Sequence, residues 1–383
     1  MKARRRGYLF VGGGTGGHLF PGLAIAERVV ELESLAGRDK PELIFLCSER
    51  AIDAKVLGSA MIGGERVRFA ATRAAPFVVS PMGMVRFLGG WGPTVRQTRG
   101  AIREMRASSE VRVVALGGFV AAPCVQAARV ERAPVTMLNL DAVPGLANRW
   151  IVRRADAVYS SAPVEDPITR GRTPWTFIPP IVRGAAVAPG DAARCRVELG
   201  LDAHSPTLVV TGASQGARSI NRLMEEIVRT RRDALAGWQV FHQTGKDEVE
   251  RTREMYASAG VPARVESFIE SMGLVWGAAD LAVSRAGAGS VGEVWANRVP
   301  TVFMPYPYHK DQHQRMNART LEACAGAVVA EDHIEPTPNM EGAGAAIVGL
   351  LMENGKRERM REAIAGLGPA DGADRVARAL VDG

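Results

Sequence analysis

Twice in this chain an apolar strand runs straight into a glycine-rich turn and then into an amphipathic helix, and that repeat limits the fold more than any other feature. The first instance is Tyr8–Val11, then GGGTGGH, then a helix with Leu19, Leu23, Ala26 and Val30 at helical spacing. The second is Thr207–Val210, then TGASQGAR, then a helix carrying Ile220, Leu223, Met224, Ile227 and Val228. Further apolar runs follow each one. They are Leu43–Cys47, Arg112–Leu116, Val135–Leu138 and Ala157–Ser160 in the first half, and Gln239–His242, Arg264–Phe268, Leu281–Val283 and Thr301–Met304 in the second. Continuous apolar strands separated by helices predict parallel sheets covered on both faces. The chain is read as α/β, with two Rossmann-like domains and a central cleft at the carboxyl ends of the strands, where such sheets bind ligands.

A length of 383 residues and 46% hydrophobic content suffice for two cores. The proline-bearing stretch between Pro179 and Leu201 marks the boundary. The expected organisation is a first domain over 1–183, a linker over 184–200, a second domain over 201–354, and terminal helices over 355–383 packing back toward the first domain. The net charge of +7 suits an anionic partner such as a nucleotide, a pyrophosphate or acidic lipid. Nucleic acid is a poor fit, because the basic residues are dispersed and aromatics make up 6% of the chain. Four cysteines without CxxC spacing predict reduced thiols and no zinc site. The basic start MKARRRGYLFV has too short an apolar run for a signal peptide, and no stretch approaches the ~20 apolar residues of a membrane span. On this reading the protein is neither secreted nor integral to a membrane.

Four segments at strand ends carry candidate chemistry. In GGGTGGHLFPG, glycines let the backbone approach a ligand while the helix start offers free amides to an anion. His18 opens that helix, where the dipole favours a neutral imidazole able to act as a base; the alternative is a helix-start residue with local hydrogen bonds. In GASQGARSIN, Ser214 is a helix cap, a phosphate donor, or both. In SRAGAGSVGEVW, Glu293 either accepts two ribose hydroxyls or closes a Ser290-x-x-Glu293 capping box. In PYPYHKDQHQRMNA, Asp311, Gln312, His313, Gln314 and Asn317 could grip sugar hydroxyls, or form a solvated loop and first helical turn. His309 and His313 are spaced for a metal pair, but HExxH is absent and metal is discounted. A fifth segment, PFVVSPMGMVRFLGGWGP, with Phe77, Met82, Phe87, Leu88 and Trp91 and basic flanks, is either a helix and loop packed on the sheet or an apolar face for a bilayer.

Taken in order, GGGTGGHLFPGLAIA, GASQGARSIN, SRAGAGSVGE and PYHKDQHQRMNA resemble the MurG family, glycosyltransferase family 28, from about Tyr8 to Asp332. The resemblance implies the GT-B fold. It also implies an inverting transferase that moves N-acetylglucosamine from UDP-GlcNAc to the C4 hydroxyl of MurNAc in lipid I, giving lipid II for peptidoglycan synthesis without a cofactor or metal. It further implies a peripheral place on the cytoplasmic face of the inner membrane, in contact with anionic lipids. By position, Gly14, Thr15, Gly16, Gly17, Gly118 and Phe119 look like acceptor-side residues, with His18 the candidate base. Asp141, Arg183, Ser214, Ile269, Ala288, Gly289, Ser290, Glu293, His313 and Gln314 look like donor-side residues. Two segments depart from the family pattern. Gly117-Gly118-Phe119 stands for GGY, and Leu138-Asn139-Leu140-Asp141 for HEQN, so an acceptor-only carboxylate replaces an amide. Other expectations are a different UDP-sugar enzyme of this fold (a 2-epimerase or a glycolipid transferase) or a non-catalytic UDP-sugar-binding scaffold. An NAD enzyme has only GxGxxG to support it.

Overall fold

The computed structural model describes residues 5–14, 16–164, 173–212, 216–308 and 311–383. It divides into two compact units, one of residues Met1–Arg183 with Asp371–Gly383, the other of Gly184–Ala370. Among the described residues the strands of the first unit are β1 (Arg5–Gly12), β2 (Glu42–Ser48), a small hairpin β3–β4 (Met61–Ile62 and Glu65–Arg66), β5 (Arg68–Thr72), β6 (Ser109–Gly117), β7 (Val135–Asn139), β8 (Ala157–Ser160) and β9 (Trp175–Phe177). Those of the second are β10 (Thr207–Thr211), β11 (Gln239–Gln243), β12 (Ala263–Glu266), β13 (Leu281–Ser284), β14 (Thr301–Phe303) and β15 (Ala327–Val329). The sheet orders are β5-β2-β1-β6-β7-β8-β9 and β12-β11-β10-β13-β14-β15. Strand pairing is parallel throughout both sheets. In each the chain first builds outward on one side, then crosses to the other. The crossing lies between β1 and β6 in the first sheet and between β10 and β13 in the second, and a ligand site opens at such a reversal.

The strands form where the side-chain period of two feeds two apolar layers. Tyr8 and Phe10 of β1 enter one core with Leu19 and Leu23, while Leu9 and Val11 enter the other with Val113 and Ile102. In β10, Leu208 and Val210 face Ile220, Leu223 and Ile227, and Val209 faces Trp276 and Phe303. Each such side chain stabilises the fold by roughly 1.5–3 kcal/mol relative to exposure. The helices that carry functional segments are α1 (Gly16–Leu35), α2 (Ala51–Ser59), α3 (Pro81–Arg106), α4 (Gly118–Val130), α5 (Leu146–Ile151), α6 (Ala192–Glu198), α7 (Arg218–Thr230), α8 (Val249–Ser258), α9 (Met272–Ala278), α10 (Ala288–Asn297) and α11 (His313–Ala323). Among the described residues no helix is long and apolar enough to cross a membrane.

Two boundaries differ from expectation. Residues 184–200 are not a free linker but part of the second unit. Asp191 caps α6 by accepting from the Arg194 amide at 2.8 Å, and Arg196 pairs with Asp280 at 2.7 Å. Within the tail, the helix Asn354–Gly366 belongs to the second unit, where Met360 and Ile364 are buried. The last helix, Gly372–Asp382, joins the first unit by placing Val376, Ala377, Leu380 and Val381 against the Tyr8–Leu23 core.

One buried polar cluster lies on the core side of the second unit. His242 of β11 meets Tyr256 Oη of α8 at 3.0 Å through Nδ1 and Asn221 Oδ1 of α7 at 3.1 Å through Nε2. Burial pushes its imidazole down to about 3, against an ordinary value of ~6.5. The native state therefore excludes a proton that the unfolded chain accepts below about pH 6.5, so this group's contribution is intact above that value and declines as pH falls toward 3. The thermal midpoint should drop between pH 7 and pH 5, and His242→Gln should show a smaller drop than the wild type. Equal drops in the two proteins would remove His242 from the pH response.

Candidate active site

In the first unit, β1 delivers Gly12–Gly14 to the start of α1, and a buried carboxylate holds that turn. Asp53 of α2 accepts through Oδ2 from the Gly14 amide at 2.7 Å, the Ser48 amide at 3.0 Å and Ser48 Oγ at 2.6 Å. One side chain thus ties the ends of two adjacent strands. Arg50 donates to the Gly14 carbonyl at 2.6 Å, and its guanidinium lies 5.4 Å from the Phe119 ring centre. Phe119, where the family pattern has a phenol, contributes a π face instead. Gly118 has φ +75°, and a Cβ there would stand 2.9 Å from the Gly13 carbonyl, so the two glycine turns meet backbone to backbone.

His18, near the start of α1, lies against Gly117–Gly118; a Cβ on Gly117 would be 3.1 Å from its Cδ2. Burial lowers its pKa below the usual histidine value, opposed in part by the carboxylates of Asp141 and then Asp53. The ring is accordingly neutral at physiological pH, the form in which it can take a proton. The Leu138–Asp141 run is fixed by amides. Asn139 Nδ2 donates to Ser160 Oγ at 2.9 Å and to the Asp141 carbonyl at 2.7 Å, while Asn148 donates to Asn139 Oδ1 at 3.1 Å.

In the second unit Gly216 stands just before α7. Gly216 has φ +74°, and a Cβ there would overlap the Thr244 carbonyl at 1.9 Å. The turn after β13 leads into α10, whose N-cap is Gly287 with no side chain closing the first turn. Ser290 is therefore the third helical residue and forms no capping box with Glu293, so the capping alternative is overturned. Glu293 Oε2 instead accepts from the indole N–H of buried Trp276 at 2.8 Å. The first-turn amides of α10, at Ala288, Gly289 and Ser290, are donors of the kind that hold a phosphate. After β14, Gln314 Oε1 accepts from the Tyr306 amide at 2.9 Å, and His313 Nδ1 meets Asp311 Oδ1 at 2.8 Å. Tyr306, Tyr308, Asp311 and Gln312 are exposed and α11 begins at His313, as the alternative of a solvated loop and first helical turn expects, while these bonds fix Gln314 and His313 locally. Ile269 lies after β12, packed on the apolar cluster of Val209 and Trp276.

The expected residues fall into two groups. Gly14, Gly16, Gly17, His18, Gly118, Phe119 and Asp141 gather around the first-unit switch point. Ile269, Ala288, Gly289, Ser290, Glu293, His313 and Gln314 lie at strand ends of the second unit. Arg183 belongs to the first unit, where it pairs with Glu27 at 3.6 Å and lies 5.4 Å from the Phe20 ring centre. Thr15, Ser214 and His309 lie outside the described residues. The apolar segment is exposed over its first part, while Trp91 packs on the first-unit core. Phe77, Met82 and Leu88 are exposed, and the buried positions of α3 begin only at Gly90. Phe77, Phe87, Trp91 and Trp150 form a chain of edge contacts with centres 5.4–5.6 Å apart.

Three supporting residues escaped sequence reasoning: Asp53, Trp276 and Arg285. Asp53 stands in the first turn of the helix after β2, a legible signal for an acidic residue near the glycine turn. Trp276 reads as ordinary core. Removing the Asp53 carboxylate would leave the Gly14 and Ser48 amides without their acceptor, at about 1–3 kcal/mol. Asp53→Ala should lower the unfolding free energy by that amount in a denaturant titration; an unchanged midpoint would show that the turn is held by other contacts.

Residues 8–160 match the glycosyltransferase family 28 N-terminal domain, and residues 207–376 the family 28 C-terminal domain. The Geobacter metallireducens UDP-N-acetylglucosamine--N-acetylmuramyl-(pentapeptide) pyrophosphoryl-undecaprenol N-acetylglucosamine transferase is 33% identical over 370 residues, 95% of this chain and 95% of its own. The protein of the same name from Clavibacter sepedonicus is 36% identical over 380 residues, 98% of this chain and 96% of its own. Among solved structures, Acinetobacter baumannii MurG superposes with a TM-score of 0.69 at 22% identity, over 99% of this chain and 100% of that one. A UDP-glucose: anthocyanidin 3-O-glucosyltransferase in complex with UDP gives 0.65 at 14% identity, over 100% and 98%. These likenesses show the GT-B fold, with its two Rossmann-like sheets. With both family domains matched in order and relatives above 30% identity along nearly the whole length, the chain belongs to glycosyltransferase family 28 and is a glycosyltransferase.

Proposed function

We propose that this transferase moves N-acetylglucosamine from UDP-GlcNAc to the C4 hydroxyl of MurNAc in lipid I, with inversion, forming lipid II for peptidoglycan synthesis at the cytoplasmic face of the inner membrane. The observation that carries the reading is the second unit's set of strand-end donors and acceptors. It comprises the uncapped start of α10 for a pyrophosphate, Glu293 oriented by Trp276 for ribose hydroxyls, and His313–Gln314 for a sugar. The full-length relatives bearing the GlcNAc transferase name support the same donor and acceptor.

In this mechanism the acceptor hydroxyl attacks the anomeric carbon, its proton passes to a base, and the C–O bond to UDP breaks. His18 is the base, kept neutral by burial, with the nearby carboxylates of Asp141 and Asp53 favouring the imidazolium once it forms. The departing diphosphate is stabilised by the α10 amides and Ser214. Gly14, Thr15, Gly16, Gly17, Gly118 and Phe119 receive the acceptor. Phe77, Met82 and Leu88, exposed before and along the first turns of α3, meet anionic lipid, with the half-buried Phe87 and Trp91 behind them.

Purified protein with radiolabelled UDP-GlcNAc and a lipid I analogue should give labelled lipid product, also in the presence of EDTA. His18→Ala should cut kcat by about 10²–10⁴-fold, and Glu293→Ala should raise the donor KM by about 10- to 100-fold. Donor binding without any transfer would point to the scaffold reading or another acceptor, and sugar turnover without acceptor to an epimerase.

A further inference from the structure

Arg285, the first residue after β13, is buried, and its guanidinium reaches three separate segments of the second unit. Nη1 donates to the Met304 carbonyl at 2.9 Å, the Pro305 carbonyl at 3.3 Å and Asp332 Oδ2 at 2.6 Å, while Nη2 donates to Ser219 Oγ at 2.9 Å. Ser219 in turn donates to the same Asp332 oxygen at 2.6 Å. The second oxygen of Asp332 accepts from the Ile334 amide at 2.8 Å and from Asn339 Nδ2 at 3.1 Å. Both Ser219 and Asp332 are buried. A guanidinium presents five donors in a rigid plane, so its partners are held at fixed angles to one another.

The positions of those partners give the cluster its meaning. Ser219 is the second residue of α7, at the start of the helix that follows Gly216. Arg285 lies two residues before Gly287, the N-cap of α10. Met304 and Pro305 open the segment that leads through Tyr306 to His313 and Gln314. The three strand-end turns with most of the second unit's donor-side residues therefore share one buried ion pair.

We propose that Arg285, Ser219 and Asp332 form a brace that sets these three turns relative to one another, so that Ser219 and Asp332 are positioning residues for nucleotide-sugar binding. The inference rests on the donor-site reading given above. Loosening the brace lets the α10 amides, Glu293 and the His313–Gln314 pair drift independently, and a ligand that must touch all of them loses affinity.

The test is UDP binding by calorimetry, with steady-state kinetics in both substrates, for wild type, Ser219→Ala, Ser219→Thr, Asp332→Asn and the Ser219→Ala/Asp332→Asn double variant. Ser219→Ala and Asp332→Asn should each weaken UDP binding and raise the UDP-GlcNAc KM by about tenfold, with the acceptor KM held within about twofold. Ser219→Thr, which keeps the hydroxyl, should restore binding. The double variant should be no worse than the poorer single, because the residues act as one unit. Lower melting temperatures with unchanged UDP affinity and donor KM would overturn the brace and leave a role in stability alone. If Asp332→Asn does not fold, Ser219→Ala, which deletes one oxygen, decides between these outcomes. A wild type that fails to bind UDP would instead overturn the donor-site reading itself, a result distinct from failure of the brace.

Discussion

A parallel sheet leaves all of its strand carboxyl ends on one edge, and much of what is functional in this chain follows from that constraint. Strands that are apolar on both faces must end in a turn tight enough to send the chain straight into a covering helix. The turn exposes amides at the helix start. At the reversal between β1 and β6, and again between β10 and β13, two such turns lie side by side with no crossover between them. The site residues are the chain's way of using donors that the topology would otherwise leave to water.

Those turns are short of apolar packing, so polar groups inside the protein hold them. The first unit uses Asp53, one oxygen of which takes three hydrogen bonds from two strand ends. The second uses the Arg285–Asp332 pair. Its aspartate stays below the usual carboxylate range: burial would raise it, but the bonds from Ser219 and Arg285 prevail. Buried charge is costly unless fully partnered. Both oxygens of Asp332 are partnered, which explains how the Arg285–Asp332 pair is tolerated. The uncharged counterpart is His242, neutral between Tyr256 and Asn221, with Asn221 also donating to the Thr244 carbonyl that confines Gly216.

Much of this was legible in the residues. All ten strands read from apolar runs are present, because continuous burial writes itself into composition. The strands not read are β5, β9 and β15, at sheet edges and two of them only three residues long, and the two-residue strands of the β3–β4 hairpin. An edge strand has a neighbouring strand on one side only, so more of its residues stay partly exposed. The linker reading failed because prolines and small residues at 184–200 looked like loop chemistry, while the Asp191 cap and the Arg196–Asp280 pair depend on long-range contact. Glu293 shows the same limit. Ser290-x-x-Glu293 has capping spacing, but the helix begins three residues earlier than that box requires, at Gly287, and Trp276 is seventeen positions away in the chain. Motifs announced where the site lies. Of the residues that hold it, Asp53 has a faint signal in the first turn of its helix, whereas the partners of Trp276, Arg285 and Asp332 are distant in the chain and are not written in local sequence.

The central claim is that the strand-end turns of the second unit are where the nucleotide sugar binds. Amide hydrogen exchange of the full chain, with and without UDP-GlcNAc, tests it directly. The account predicts slowed exchange concentrated in 212–221, 285–293 and 305–317, with the outer surface of α8 unchanged. Protection spread evenly over the second unit, or absent from those three segments while the sugar is bound, would contradict it.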